Sequence, residues 1–227
     1  MVTTNNNSQS LPAQTKPLLR GWFHAAGALA SIIFTLVLVW VSADDLPRML
    51  SMLVFGVSMI ELYTVSAIYH IGRWQPGTHR VLRSFDHSNI FILIAGTYTP
   101  ICFNVLDGWV RVTSLIAIWA LALVGVFVVV FARNLPRWVG SIIYIAMGWV
   151  SIVVLPAFVE ALGWGPVLVL IMGGVLYTIG GIIYAMKRPN PFPRVLGFHE
   201  VFHLFVIAGS IVFAVVVSVW VLPFPRV

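Results

Sequence analysis

The sequence predicts an all-α integral membrane protein, a bundle of seven transmembrane helices. Three observations predict it. Hydrophobic residues make up 60% of the 227 and charged residues only 9%, with a mean hydropathy of +0.99, whereas soluble domains carry about a quarter charged residues. Seven apolar runs cover residues 22–43, 48–71, 85–106, 110–132, 138–159, 165–186 and 198–222, each about 20 residues or slightly more, the length that crosses a hydrocarbon core. Turn and charge signals separate the runs, and tryptophans (Trp22, Trp40, Trp74, Trp109, Trp138, Trp164, Trp220) sit near their ends, as an interfacial aromatic belt requires. Backbone groups in lipid must be satisfied internally, so the runs read as helices rather than open strands.

Taken in order, residues 1–17 are polar, with an Asn run and two prolines, and read as a disordered tail. Residues 18–227 read as a single membrane domain. No cleavable signal peptide is expected, because the first run is long enough to span and lacks a small-residue cleavage site. The first run opens near His24. The second carries Glu61, Ser66 and His70, and the third begins at Asp86 with His87 beside it. Pro100 lies inside the third run, where it removes a helix hydrogen bond and predicts a kink. On the sixth run the pairs Gly173/Gly174 and Gly180/Gly181 repeat at a seven-residue interval and suit close helix packing. The seventh run opens on Phe198-His199-Glu200-Val201-Phe202-His203.

Orientation follows from Lys and Arg. Ten of the 13 fall on one side: Lys16 and Arg20 in the tail, then Arg73, Arg80, Arg83, Arg133, Arg137, Lys187, Arg188 and Arg194 in alternate loops. Only Arg48, Arg111 and Arg226 fall on the other. The positive-inside rule puts the N-terminus in the cytoplasm and the C-terminus outside, in a multi-pass membrane protein. The same distribution accounts for the net charge of +6 without a nucleic-acid partner. The single Cys102 excludes an internal disulfide.

With this topology the polar groups gather in one leaflet. His199 and His203 are four residues apart, on one helix face and one turn from each other, where two imidazoles can hold one metal ion, most simply zinc. His24, Ser66, His70 and Asp86 lie in the same cytoplasmic layer. Three histidines with a fourth position left to water is the open coordination of catalytic zinc. Asp86 is a candidate to hold and deprotonate that water, and Ser66 to hydrogen-bond it or a substrate carbonyl. Each residue also has a plainer reading. The His199/His203 pair can be packing histidines, His70 a snorkelling side chain, Asp86 the N-cap of the third helix, and Ser66 a donor to its own backbone. His24 reads as interfacial before it reads as a ligand. His87, turned about 100° from Asp86, can support the site or face lipid.

Two acids stand apart. Glu61 lies deep in the second run, where a carboxylate is expected to face the bundle interior or stay protonated. It is half a turn out of phase with His70 and outside its coordination shell. Glu200 completes a literal HExxH, in which the acid of a zinc protease is the general base. That role is rejected here, because no third ligand follows His203. Glu200 is retained as a group that orients a histidine or acts as a second base.

The strings Glu61-Leu-Tyr-Thr-Val-Ser66-Ala-Ile-Tyr-His70, Phe85-Asp86-His87-Ser-Asn-Ile, Ala95-Gly-Thr-Tyr-Thr-Pro100 and Phe198-His199-Glu-Val-Phe-His203-Leu-Phe resemble the hemolysin III branch of the progestin and adipoQ receptor family. The likeness covers nearly the whole chain except the tail. It implies a seven-helix bundle with the N-terminus inside. It also implies His70, His199 and His203 as zinc ligands, with Asp86 and Ser66 beside the metal water. The wider superfamily resembles alkaline ceramidases, which hydrolyse lipid amides. The resemblance leaves three functions open: a zinc-dependent hydrolase of a membrane lipid amide or ester tied to lipid homeostasis, a membrane sensor with structural zinc, and a pore-forming cytolysin.

Overall fold

The computed structural model describes residues 16–131 and 136–225; the expected disordered tail falls mostly outside them. Seven spans are helical, in eight α-helices. They are α1 (Trp22–Val41), α2 (Leu46–Ile71), α3 (Pro76–Val105), α4 (Gly108–Phe131), α5 (Arg137–Gly148), α6 (Leu155–Leu162), α7 (Trp164–Met186) and α8 (Phe198–Val216). α5 and α6 form the fifth span together. α8 continues through a π turn, Val217–Val221.

Along the chain α1 packs on α2, α2 on α3 and α3 on α4, while α5 packs on α7 and α7 on α8, which returns to α1. α3 is the central staff. Of its most apolar stretch 72% is buried, against 17% for α4, so α3 supplies core contacts while α4 presents its side chains to lipid. Small residues set the close approaches. A Cβ on Gly56 would stand 2.3 Å from Thr35 Oγ1, and one on Gly96 2.2 Å from Ser58 Oγ. The glycine pairs of the sixth run divide their work. Gly173 and Gly180 meet Phe213 and Phe205 of α8, and Gly174 and Gly181 meet Trp149 and Ile145 of the fifth span.

Three elements differ from the sequence expectation. α3 begins at Pro76, not at residue 85. Proline suits the first helical turn, where its missing N–H has no partner to lose. The added turns carry His79, Arg80 and Arg83, so hydropathy does not report them. Asp86 therefore lies well inside α3, whose N-cap is Gln75, and the N-cap reading of Asp86 is overturned. The fifth span is not one regular helix, because a 3-10 segment, Trp149–Val154, separates α5 from α6. Pro156 follows in the first turn of α6. Tyr98 of α3 stitches the break: its hydroxyl donates to the Gly148 carbonyl (2.7 Å) and accepts from the Ser151 N–H (2.8 Å). α2 begins at Leu46, capped by Asp45, which accepts from the Arg48 N–H at 3.1 Å. Pro100 sits inside α3, with the Asn104 side chain donating to its carbonyl at 2.8 Å.

The two ends of the bundle differ in charge. At one end the Leu18 and Leu19 N–H groups donate to the Arg194 and Val195 carbonyls, tying the segment before α1 to the loop before α8. At the other end the Arg48 guanidinium donates to the Leu222 and Phe224 carbonyls. Gly21 caps α1 with φ +86°, and a Cβ there would lie 2.9 Å from both His70 Cβ and Ile71 Cγ1. Gly21→Ala is expected to cost at least about 1–2 kcal/mol from the left-handed backbone alone. A fall in Tm of the purified protein is the measurement; an unchanged Tm would show that the capping turn relaxes freely.

Candidate metal centre

α8 is capped at Gly197, and the capping box explains why it starts there. The Glu200 side chain turns back to accept from the Gly197 N–H at 2.7 Å, which satisfies an otherwise unpaired donor of the first turn. Its other oxygen pairs with Arg20 Nε. This fixes the first turn of α8 and aims His199 and His203 into the bundle. His70, at the end of α2, faces them. The three rings are buried, and their ligand atoms all lie within 4.8 Å of one another. His70 Nε2 and His199 Nε2 are 3.0 Å apart. Among the described residues they are the one His/Cys/Asp/Glu group gathered so closely.

The donor set suits a metal. Two imidazoles on one tetrahedral zinc hold their nitrogens about 3.3 Å apart, given bonds of about 2.0–2.1 Å. The 3.0 Å between His70 Nε2 and His199 Nε2 is close to that value. The His203 Nδ1 atom is buried with no hydrogen-bond partner among the described residues. Such an orphan is costly unless something pairs with it.

Around the histidines stand the other polar groups. Asp86 Oδ2 is 3.7 Å from His70 Nε2 and 3.6 Å from His87 Nδ1. The Ser66 hydroxyl, one turn before His70, is buried and bonds to Asp86 rather than to its own helix backbone. The sequence thus names five groups that the fold brings together: Ser66, His70, Asp86, His199 and His203. His87 supports the site, with Nδ1 2.9 Å from the Arg83 carbonyl oxygen and Nε2 3.3 Å from the Tyr184 hydroxyl.

Two sequence readings are corrected. His24 is not interfacial. It is 3% exposed, stacked on His203 at 3.6 Å and 7°, with Tyr63 edge-on at 5.0 Å. Both of its nitrogens are buried without hydrogen-bond partners among the described residues. The reason is a long-range contact: α1 starts at Trp22, and the Arg20–Glu200 pair ties the residues just before it to the first turn of α8. Glu61 does not face the interior. It lies on the outer side of α2 with Val57 and Ile68, half a turn from His70 as its spacing demands. Helical phase outweighs the cost of meeting lipid.

Glu200 is committed to Arg20 and to the cap, so it is not positioned as a base. Glu200→Ala is expected to cost about 3 kcal/mol, the lower end for a broken buried pair, because Arg20 is 21% exposed. Thermal unfolding checks this. Lost turnover at unchanged stability would return Glu200 to a chemical role.

An apolar cavity leads away from the histidines between α3, α5, α7 and α8. From Asp86 to Tyr98 its α3 wall extends about 18 Å at 1.5 Å per residue. Ile90, Leu93 and Ile94 line one side, with Trp149, Tyr177 and Phe213 opposite. Tyr63 and Tyr177 both bond Ser210 Oγ (2.6 and 2.8 Å). These tyrosines and Tyr184 carry no sequence signal, since aromatic residues inside apolar helices are ordinary core.

The fold and the site together define a multi-pass helical membrane protein with a buried three-histidine centre open to an apolar cavity. The family model described as "Haemolysin-III related" matches residues 13–214. Hemolysin-3 homolog from Bacillus subtilis is 34% identical over 189 residues, which is 82% of this chain and 85% of that one. Hemolysin-3 from Bacillus cereus is 34% identical over 203 residues, 88% and 89%. Human Monocyte to macrophage differentiation factor is 24% identical over 182 residues, 75% and 70%. The chain belongs to the haemolysin-III related family, as its motifs imply.

Proposed function

We propose that this chain is a zinc-dependent intramembrane hydrolase of a lipid amide or ester. The observation that carries the reading is the meeting of three buried histidines, a carboxylate and a hydroxyl at the head of an apolar cavity. His70, His199 and His203 would hold the ion. Zinc, when bound, supplies Lewis acidity, polarising a carbonyl and lowering the pKa of water toward ~7. Asp86 accepts a proton at its carboxylate and can return it to the leaving group. Ser66 orients Asp86 through their hydrogen bond and is placed to bond a substrate carbonyl. The cavity takes the acyl chain and keeps bulk water away. Lys and Arg placement supports an N-terminus in the cytoplasm, with the site in the inner leaflet. The test is release of fatty acid from amide- and ester-linked lipids by purified protein with its metal content measured; metal-loaded protein that releases none from either class would overturn the reading.

A second reading has one observation in its favour. α2 and α8 pack mainly through α1, so a shared ion would tie two spans that otherwise touch little. As a structural clasp in a membrane sensor, it predicts histidine variants that lose thermal stability and no lipid turnover at any pH. Pore formation, which the relatives' printed name suggests, draws no support from Glu61, the one acid deep in a span, because it faces outward.

A further inference from the structure

Beside the metal centre, on the same end of the bundle, lies a second pocket between α3, the end of α4 and the start of α5, with a basic wall. Its wall carries Arg80, Arg83 and Ser84 from α3 and Arg137 from α5. Arg83 and Ser84 lie three and four residues after Arg80, and His87 lies four and three after them, so they form one stripe. Arg137 is held by its guanidinium over the Tyr184 ring at 5.6 Å, an arrangement that pre-orients a cation.

None of these arginines is in an ion pair among the described residues, although Arg83 lies near enough to Asp86 to act on its charge. The chain has seven acids, and all of them lie in the described residues. Asp44, Asp45, Asp107 and Glu160 are at the opposite end, and Glu61 is on the outer face. Glu200 is taken by Arg20. Asp86 faces His70 and His87. No carboxylate stands within ion-pair distance of Arg80, Arg83 or Arg137 among the described residues. Three guanidinium groups around one concave site fit a terminal phosphate better than a carboxylate, because the phosphate offers three charged oxygens to share among the forks where a carboxylate offers two.

The pocket also joins the chemistry. His87, Tyr144 and Tyr184 line both it and the apolar cavity. We infer that the arginine pocket binds the phosphate-bearing headgroup of an acyl lipid whose chain enters the apolar cavity, so that the substrate class is an anionic phospholipid. The inference rests on the hydrolase reading for the word substrate, but its test is binding. A lipid so held lays the bonds between headgroup and chain beside His87 and Asp86. It also gives the excess of arginine at the starts of α3 and α5 a task beyond orienting the chain in the membrane.

The experiment titrates the full chain in detergent with short-chain phosphatidic acid, with phosphatidylcholine of the same chains, and with inorganic phosphate, read by calorimetry. One-to-one binding of phosphatidic acid is expected, with phosphatidylcholine and inorganic phosphate each at least about tenfold weaker, the scale of one lost charge-assisted hydrogen bond or lost chain burial. R80Q/R83Q should weaken phosphatidic acid about tenfold or more, and R137Q should do so separately. R188Q/R194Q, at the same end but outside the pocket, should not. Gly174→Leu, which fills the cavity beside Trp149, should weaken the lipid and leave inorganic phosphate unchanged. Equal loss in R188Q/R194Q would mean surface adsorption and overturn the inference. So would inorganic phosphate binding as tightly as the lipid, which would mark a free-phosphate site, and so would phosphatidylcholine binding equally. Metal content is measured on each variant. Lipid binding lost with metal retained supports the pocket. Lipid binding intact in protein that never holds metal would overturn the hydrolase and leave the pocket standing.

Discussion

His199→Ala/His203→Ala is expected to remove the bound metal. Elemental analysis of purified protein should read about one zinc per chain for the natural sequence, as a single three-histidine site holds, and background for the variant. The effect is all or none because α8 supplies two of three ligands one turn apart, and His70 alone cannot retain an ion. His79→Ala is the control. His79 is exposed, against Tyr69 at 5.0 Å, and its loss should leave the metal in place. Absence of metal from carefully handled natural protein would remove the ground for both zinc readings. Equal loss in His79→Ala would point to adventitious binding by surface histidines.

Asp86→Asn is expected to lower lipid turnover about 10²–10⁴-fold, the usual worth of a positioned acid–base group, with metal content unchanged. Asparagine keeps the size of the side chain and can still accept from Ser66, but it cannot take a proton. Paired measurement of fatty-acid release and zinc per chain separates the outcomes. Turnover retained with metal present would remove Asp86 from the chemistry. Turnover and metal lost together would make Asp86 a ligand or a support for His70, which its 3.7 Å approach to His70 Nε2 also permits. The wild-type assay decides first between enzyme and clasp; if it shows no turnover, the variant is read by thermal stability instead.

Most of the site was legible before any coordinates. Ser66 and His70 are one turn apart, as are His199 and His203, and helical phase keeps such pairs on one face whatever surrounds them. Topology supplied the rest, since alternate spans return to the same leaflet and so bring the end of α2, α3 and the start of α8 together. His24 was placed wrongly for a related reason. Hydropathy marks where a helix enters lipid but says nothing of which neighbour covers its first turn, and the covering group is His203, 179 residues away. Asp86 was placed at a helix start because Arg80 and Arg83 interrupt the apolar run, although they do not interrupt the helix.

The sequence by itself determined the seven spans, their polar ends, the phase of each candidate ligand and the exclusion of Glu61 from the site. Each of these depends on local periodicity, on length against the bilayer, or on charge, which a single chain carries in order. Only the tertiary structure decided that Glu200 serves Arg20 and the helix cap, that His24 stacks on His203, and that Tyr98 closes the break in the fifth span. It alone joined the cavity to the arginine pocket. Those facts rest on contacts between residues far apart in the chain, whose partners are chosen by how the helices pack and leave no periodic trace in the sequence.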